Sequence, residues 1–137
     1  MTSDNILSDI DPASFDGVMD FRLTVWEPGR SEFQARRGPQ HLNRNGAPHG
    51  GVVAALLDAA GMYAGNLDFE TRERVRAVTV SMSCNFIGAL KGDLFVCQGA
   101  LQKAGRSTFF AEARLTDGID GPLVATSQGA YKYIRDR

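Results

Sequence analysis

Several specialisations are missing from this 137-residue sequence. Its two cysteines, Cys84 and Cys97, stand apart, with neither CxxC spacing nor a histidine cluster beside them. They read as reduced core thiols, and neither a disulfide framework nor a metal site is expected. No run of about 18 apolar residues occurs, and the polar, acidic start from Met1 to Pro12 has no cationic opening. A soluble, cytoplasmic protein without a membrane partner is therefore predicted. Charge of one sign is also missing: 15 Lys and Arg against 16 Asp and Glu give a formal net charge of −1, and the basic residues are scattered. That removes the electrostatic case for nucleic-acid binding and leaves only small anions as charged partners. The phosphate-cradling patterns G-x-x-x-x-G-K-[ST] and G-x-G-x-x-G are absent, as is the G-x-S-x-G nucleophile elbow.

What the sequence does contain is a core. At 43% hydrophobic it can bury one domain over 1–137, with residues 1–14 as a flexible or helical N-terminal segment. Residues 18–26 alternate apolar and polar side chains, and Glu27-Pro28-Gly29-Arg30 turns them into a second strand, 31–37. Strands are also predicted over 75–86, 94–102, 107–115 and 123–134, separated by turns at Lys91-Gly92-Asp93, at Lys103-Ala104-Gly105-Arg106 and between Asp117 and Pro122. One helix interrupts them, giving the order β-β-α-β-β-β-β and an α+β class with a six-stranded antiparallel sheet. A helix of about 15 residues, roughly 22 Å long, covers one sheet face only. Phe21, Val25, Phe95, Phe109 and Val124 on the strands then predict that protomers bury surface against each other in a symmetric oligomer.

The most informative stretch is Asn43-Arg44-Asn45-Gly46-Ala47-Pro48-His49-Gly50-Gly51, a polar turn opening onto an apolar run, 52–64, in which Asp58 is the only charge. A carboxylate there reaches solvent, or is desolvated at a cost of several kcal/mol unless compensated. On a helix Asp58 shares its stripe with Ala54, Gly61, Met62 and Gly65. Small side chains on that stripe predict close approach by a second backbone, a ligand or both; the alternative is an aspartate on a solvated edge. The Gly50-Gly51 pair leaves N–H groups unshielded at the positive end of the helix dipole, which suits a carbonyl oxygen becoming an anion. Gly50 is thus the oxyanion-hole candidate. Asp58 lies about 12 Å further along by helical rise alone, too far to act on an atom held at Gly50 of the same chain. A site completed by a second subunit is predicted, with two helices antiparallel about a two-fold axis.

The pattern Asn43-x-x-Gly46-x-x-His49-Gly50-Gly51, with Asp58 nine residues after His49, resembles the signature of hotdog-fold acyl-CoA thioesterases of the PaaI-like, phenylacetate-degradation type. The resemblance implies a six-stranded antiparallel sheet wrapped around one central helix. It implies hydrolysis of an aromatic or medium-chain acyl-CoA, with coenzyme A as part of the substrate and no other cofactor. Asp58 would act as nucleophile or as general base on water, opposite the Gly50 amide of a neighbouring subunit. Asn43 would hold the thioester oxygen or the attacking water, and His49 would shape the turn or touch the same group. Thr79, seven residues before Phe86, matches a Ser/Thr position that assists from the acid's own subunit. Gly51, Gly105, Arg106 and Ser107 are the implied coenzyme A contacts, with Arg44, Arg72, Arg74 and Arg76 as alternative partners for its phosphates. Family habit implies a dimer that forms the site and pairs again into a tetramer. The segment from Phe86 to Asp93 departs from the family in lacking proline. A non-catalytic acyl-CoA-binding protein on the same fold is the second reading, and a hotdog hydratase ranks last.

Overall fold

Six strands and one long helix follow one another in the order β-β-α-β-β-β-β within residues 11–135, the part of the chain that the computed structural model describes. The strands are β1 (Arg22–Glu27), β2 (Arg30–Arg36), β3 (Ala77–Phe86), β4 (Leu94–Ala104), β5 (Thr108–Asp117) and β6 (Leu123–Tyr133). A short helix, α1 (Phe15–Met19), comes first; the long helix, α2 (Gly50–Gly65), lies between β2 and β3 and is preceded by a 3-10 turn at Pro39–His41. Every pairing is antiparallel, in the order β1-β2-β4-β5-β6-β3. This is the hotdog arrangement that the resemblance implied.

The start of the chain corrects one expectation. Residues 18–20 are not strand: the Ser14 hydroxyl caps α1 by accepting from Gly17 N–H at 3.1 Å, and Asp20 ends it in the left-handed region at φ 55°. One helical turn and its exit thus produced part of the apparent alternation, and a bulge at Thr24 disturbs the remainder. Of the expected segment 1–14, residues 1–10 lie outside the described residues, and 11–14 form the turn into α1.

A second correction concerns the sheet faces. Phe21, Phe95, Phe109 and Val124 do not await another protomer; they are buried, the three strand residues because alternation turns them towards α2 and Phe21, just ahead of β1, beside His41. Val25 is half-buried beside the β1 bulge. The opposite face is polar. Glu32 there accepts from Thr24, Gln34 and Gln98, and a hollow of about 930 Å³ is bordered by Asn85, Glu112, Arg114 and Gln128. The edge strand β3 and the residues just after it carry a run of exposed apolar side chains, Val78, Val80, Phe86 and Ile87, and Phe110 on β5 is exposed as well.

Helix α2 is enclosed along most of its length, as its nearly continuous apolar sequence requires, with Val53, Leu56, Leu57, Ala60 and Ala64 all buried. Its backbone comes close to the sheet where β4 has no side chain: a Cβ at Gly99 would stand 2.0 Å from the Ala60 carbonyl oxygen. Ser31 on β2 donates to that same carbonyl at 2.6 Å. On the stripe of small residues around Asp58, Tyr131 packs over Gly61 and Phe109 over Gly65. Both cysteines are free, Cys97 buried and Cys84 half-buried.

Candidate active site

The polar turn before α2 is a self-bonded hairpin. Leu42 bridges to Pro48, Asn43 N–H donates to Ala47 O at 2.7 Å, and Gly46, at φ 77°, donates to Asn43 O at 3.1 Å. Asn43 Oδ1 accepts from both Asn45 N–H and Ala47 N–H, at 2.9 and 3.1 Å. With its oxygen so engaged, the exposed side chain has its amide N–H groups left to donate.

The turn is fastened to the core through His41. This buried ring accepts from Gly38 N–H at Nδ1 (3.0 Å) and meets the Met19 carbonyl at Nε2 (2.7 Å), so the proton sits on Nε2. Its own carbonyl receives His49 N–H at 2.7 Å. His41 was not singled out from the sequence, because its partners lie on α1 and in the preceding loop.

His49 is the N-cap of α2: its Nδ1 accepts Gly51 N–H at 2.8 Å. Cap and proton placement go together, leaving an Nε2–H on an exposed ring. The bond also engages the Gly51 amide, so Gly51 supports the turn. Gly50 N–H is the amide left open at the helix start, and a Cβ at Gly50 would meet nothing nearer than the Phe86 ring at 3.8 Å. Asn43, His49 and Gly50 therefore form one cluster of outward donors at the positive end of α2.

Asp58 is half-buried in the middle of α2, where Thr79 Oγ1 on β3 donates to its Oδ1 at 2.7 Å. The carboxylate's charge is felt nearby. Burial first and then that charge push both the Cys84 thiol and the Tyr131 phenol up from their ordinary values. The acid and Thr79 thus form a second cluster, on the side of α2 next to the edge strand β3. The structure does not bring this pair to Gly50 within one chain; Asp58 stands eight positions further along the helix, about 12 Å of rise.

Gly105, Arg106 and Ser107 make the turn between β4 and β5, a third cluster, lying towards the other end of α2, since Phe109 just beyond packs on Gly65. Gly105 N–H donates to Thr108 O at 2.7 Å, and Tyr133 N–H donates to Ser107 O at 2.9 Å. The second bond brings in a residue that sequence reading missed, Arg135, which borders an open cavity of about 630 Å³ with Arg106 and Ser107. Its guanidinium lies 4.9 Å from the centre of the Tyr133 ring. No local motif marks Arg135; only the β5–β6 pairing places it there. Of the alternative arginines, Arg74 lies 5.9 Å from the Tyr63 ring centre, and Arg44 is exposed in the hairpin. Arg72 sits at φ 63° in the loop before β3, and Arg76 is exposed just ahead of that strand.

Known proteins resemble this chain in sequence and in fold. Residues 45–123 match the family model described as the thioesterase superfamily. A curated mouse protein, acyl-coenzyme A thioesterase 13, is 31% identical over 87 residues, covering 63% of this chain and 60% of that protein, so the chain matches less than two thirds of its relative's length. The E. coli PaaI protein from the phenylacetic acid degradation operon superposes with a TM-score of 0.79 at 19% identity, over 96% of this chain and 90% of that one. A Streptococcus mutans protein solved with acetyl CoA bound gives 0.76 at 22% identity, over 96% and 98%.

Proposed function

The chain belongs to the thioesterase superfamily, and from that premise we propose that it hydrolyses an acyl-CoA thioester to the free acid and coenzyme A. The observation that carries this reading is the 2.7 Å bond from Thr79 to Asp58, which orients a lone carboxylate on a helix that offers it no other packing use. A thioester is an activated acyl group, so one carboxylate and one oxyanion hole suffice without a Ser-His-Asp triad. With Thr79 fixing one carboxylate oxygen, Asp58 takes the proton from a water that attacks the carbonyl carbon, or attacks that carbon itself. The carbonyl oxygen becomes an oxyanion facing the Gly50 N–H of the partner subunit. Asn43 and His49 beside that amide donate to the same oxygen or to the water. On the water route the C–S bond then breaks, and coenzyme A leaves as the thiol with the proton that Asp58 took from the water. On the direct route coenzyme A leaves as the thiolate, and water opens the acyl–Asp58 anhydride, restoring the carboxylate, releasing the acid and supplying the thiol's proton.

Two protomers are needed because the two clusters lie apart on α2. The exposed apolar side chains of β3 border Asp58 and Thr79, which supports a dimer joined along that edge. A further pairing of dimers gives the tetramer. Arg106 and Arg135, with Gly105 and Ser107, supply a basic rim for the phosphates of coenzyme A. The acyl group is aromatic, of the phenylacetyl kind, or a medium aliphatic chain, and the protein works in the cytoplasm. A thiol-release assay against aromatic and aliphatic acyl-CoAs, run beside Asp58→Asn, tests this. Turnover lost in a folded variant fits the reading; saturable acyl-CoA binding by both proteins with no turnover would leave a binding protein instead.

A further inference from the structure

Asp58 is gripped from a second direction. Tyr131 on β6 is fully buried and stands directly across the β3–β6 ladder from Thr79, so two hydroxyl-bearing side chains leave paired positions towards the same helical turn. The Tyr131 hydroxyl donates to the Asp58 backbone carbonyl at 3.5 Å. Two glycines make its slot: a Cβ at Gly61, one turn after Asp58, would stand 2.2 Å from the hydroxyl oxygen, and one at Gly129 would stand 2.7 Å away. Phe109 stacks on the ring at 4.9 Å and 13°, which leaves the phenol one orientation. Immediately after the paired position the ladder bulges at Val80, and such irregularities re-aim neighbouring side chains.

We propose that Tyr131 is a positioning residue for Asp58: its hydroxyl fixes the helical backbone that carries the acid while Thr79 fixes the carboxylate, so that the two form one clamp. This rests on Asp58 being the reacting acid of the function proposed above. A hydroxyl aimed into a buried slot needs a partner, and the Asp58 turn is the one it has. Burial and the charge of Asp58 both push the phenol upward, which keeps it protonated and a donor. A clamp acts on the geometry of attack and not on substrate affinity, so its loss appears in kcat.

The test is steady-state kinetics of Tyr131→Phe, Thr79→Val and the double variant, with thermal melts of each. Tyr131→Phe should lower kcat about threefold to tenfold, leave KM within about twofold and keep the melting temperature close to the parent's. The double variant should lose less than the product of the two single losses, since both act on one acid. An unchanged kcat for Tyr131→Phe, a loss confined to KM, or fully multiplicative losses would overturn the clamp. Failure of the underlying reading looks different: it is a parent protein without turnover, or an Asp58→Asn variant that keeps it.

Discussion

Replacing Gly61 by alanine should destabilise the protein, against the usual gain from removing a helical glycine. That gain is about 1 kcal/mol in an open helix. Here the new Cβ would lie 2.2 Å from the Tyr131 hydroxyl and 3.1 Å from the ring carbon bearing it. Ordinary contact needs a retreat of about 1 Å. Tyr131 has nowhere to go: it is fully buried, and its ring is stacked on Phe109, which itself presses on Gly65. Overpacking of this kind costs about 1–3 kcal/mol, and a boxed-in neighbour puts the cost at the upper end. The net loss is then about 1–2 kcal/mol, a fall in melting temperature of about 3–8 °C for a chain of this size. Calorimetry or a circular-dichroism melt reads it. Removing the clashing oxygen should reverse it, so Gly61→Ala with Tyr131→Phe should recover more than half of the loss. A Gly61→Ala protein as stable as the parent, or a double variant no better than the sum of its parts, would refute the reasoning.

Two further outcomes follow from buried or hydrogen-bonded groups. Asn66 accepts the Trp26 indole N–H at 3.1 Å inside the core, so Asn66→Ala leaves a buried donor unpaired and should cost about 1–3 kcal/mol in a denaturant titration. Glu32 tests pH. Burial raises its carboxyl, but hydrogen bonds from Thr24, Gln98 and Gln34 outweigh that and hold it below the ordinary value. A folded value below the unfolded one stabilises the protein above the ordinary glutamate pKa of about 4.3 and is lost as pH falls through the lowered value. The stability difference between the parent and Glu32→Gln should therefore be present at pH 7 and close on acidification below about pH 4; a difference that grew towards acid would reverse the sign.

Much of the fold was legible because its signals are local. Alternation marked the strands, Gly and Pro marked the turns, and a long apolar stretch after Gly50-Gly51 could only be an enclosed helix. Helix α1 was not legible, since a single turn from Phe15 to Met19 has too few residues for a period and its boundaries depend on Ser14 and Asp20. Nor was the filling of the inner face. Phe95 and Phe109 read as surplus apolar surface until the sheet's curl around α2 gave both a place inside. At the site, Asp58 stood out as a charge where none was expected, and Thr79 entered only through family resemblance. The glycines beside Asp58 do mark a close approach, and Tyr131 and Phe109, which make it, were not legible because each lies more than 40 residues away along the chain. Arg135 and His41 were invisible because strand pairing and loop packing, not spacing, bring them to their places.

The central claim is that Asp58 of one subunit works with Gly50 of the other, and mixing two dead variants tests it most directly. Asp58→Asn removes the acid. Gly50→Pro removes only the N–H: proline suits the first position of a helix, His49 already holds the extended φ −67°, ψ 133° that a following proline demands, and the nearest atom to a Cβ there is 3.8 Å away. Each variant alone should lose about 10²-fold or more of the rate while remaining folded. Denatured together in equal amounts and refolded, they should regain about a quarter of parental activity, because half of the dimers are mixed and each mixed dimer has one intact site of two. Activity no higher than that of the separate variants, with mixed dimers present, would place the acid and the amide in a site within one chain and contradict the account.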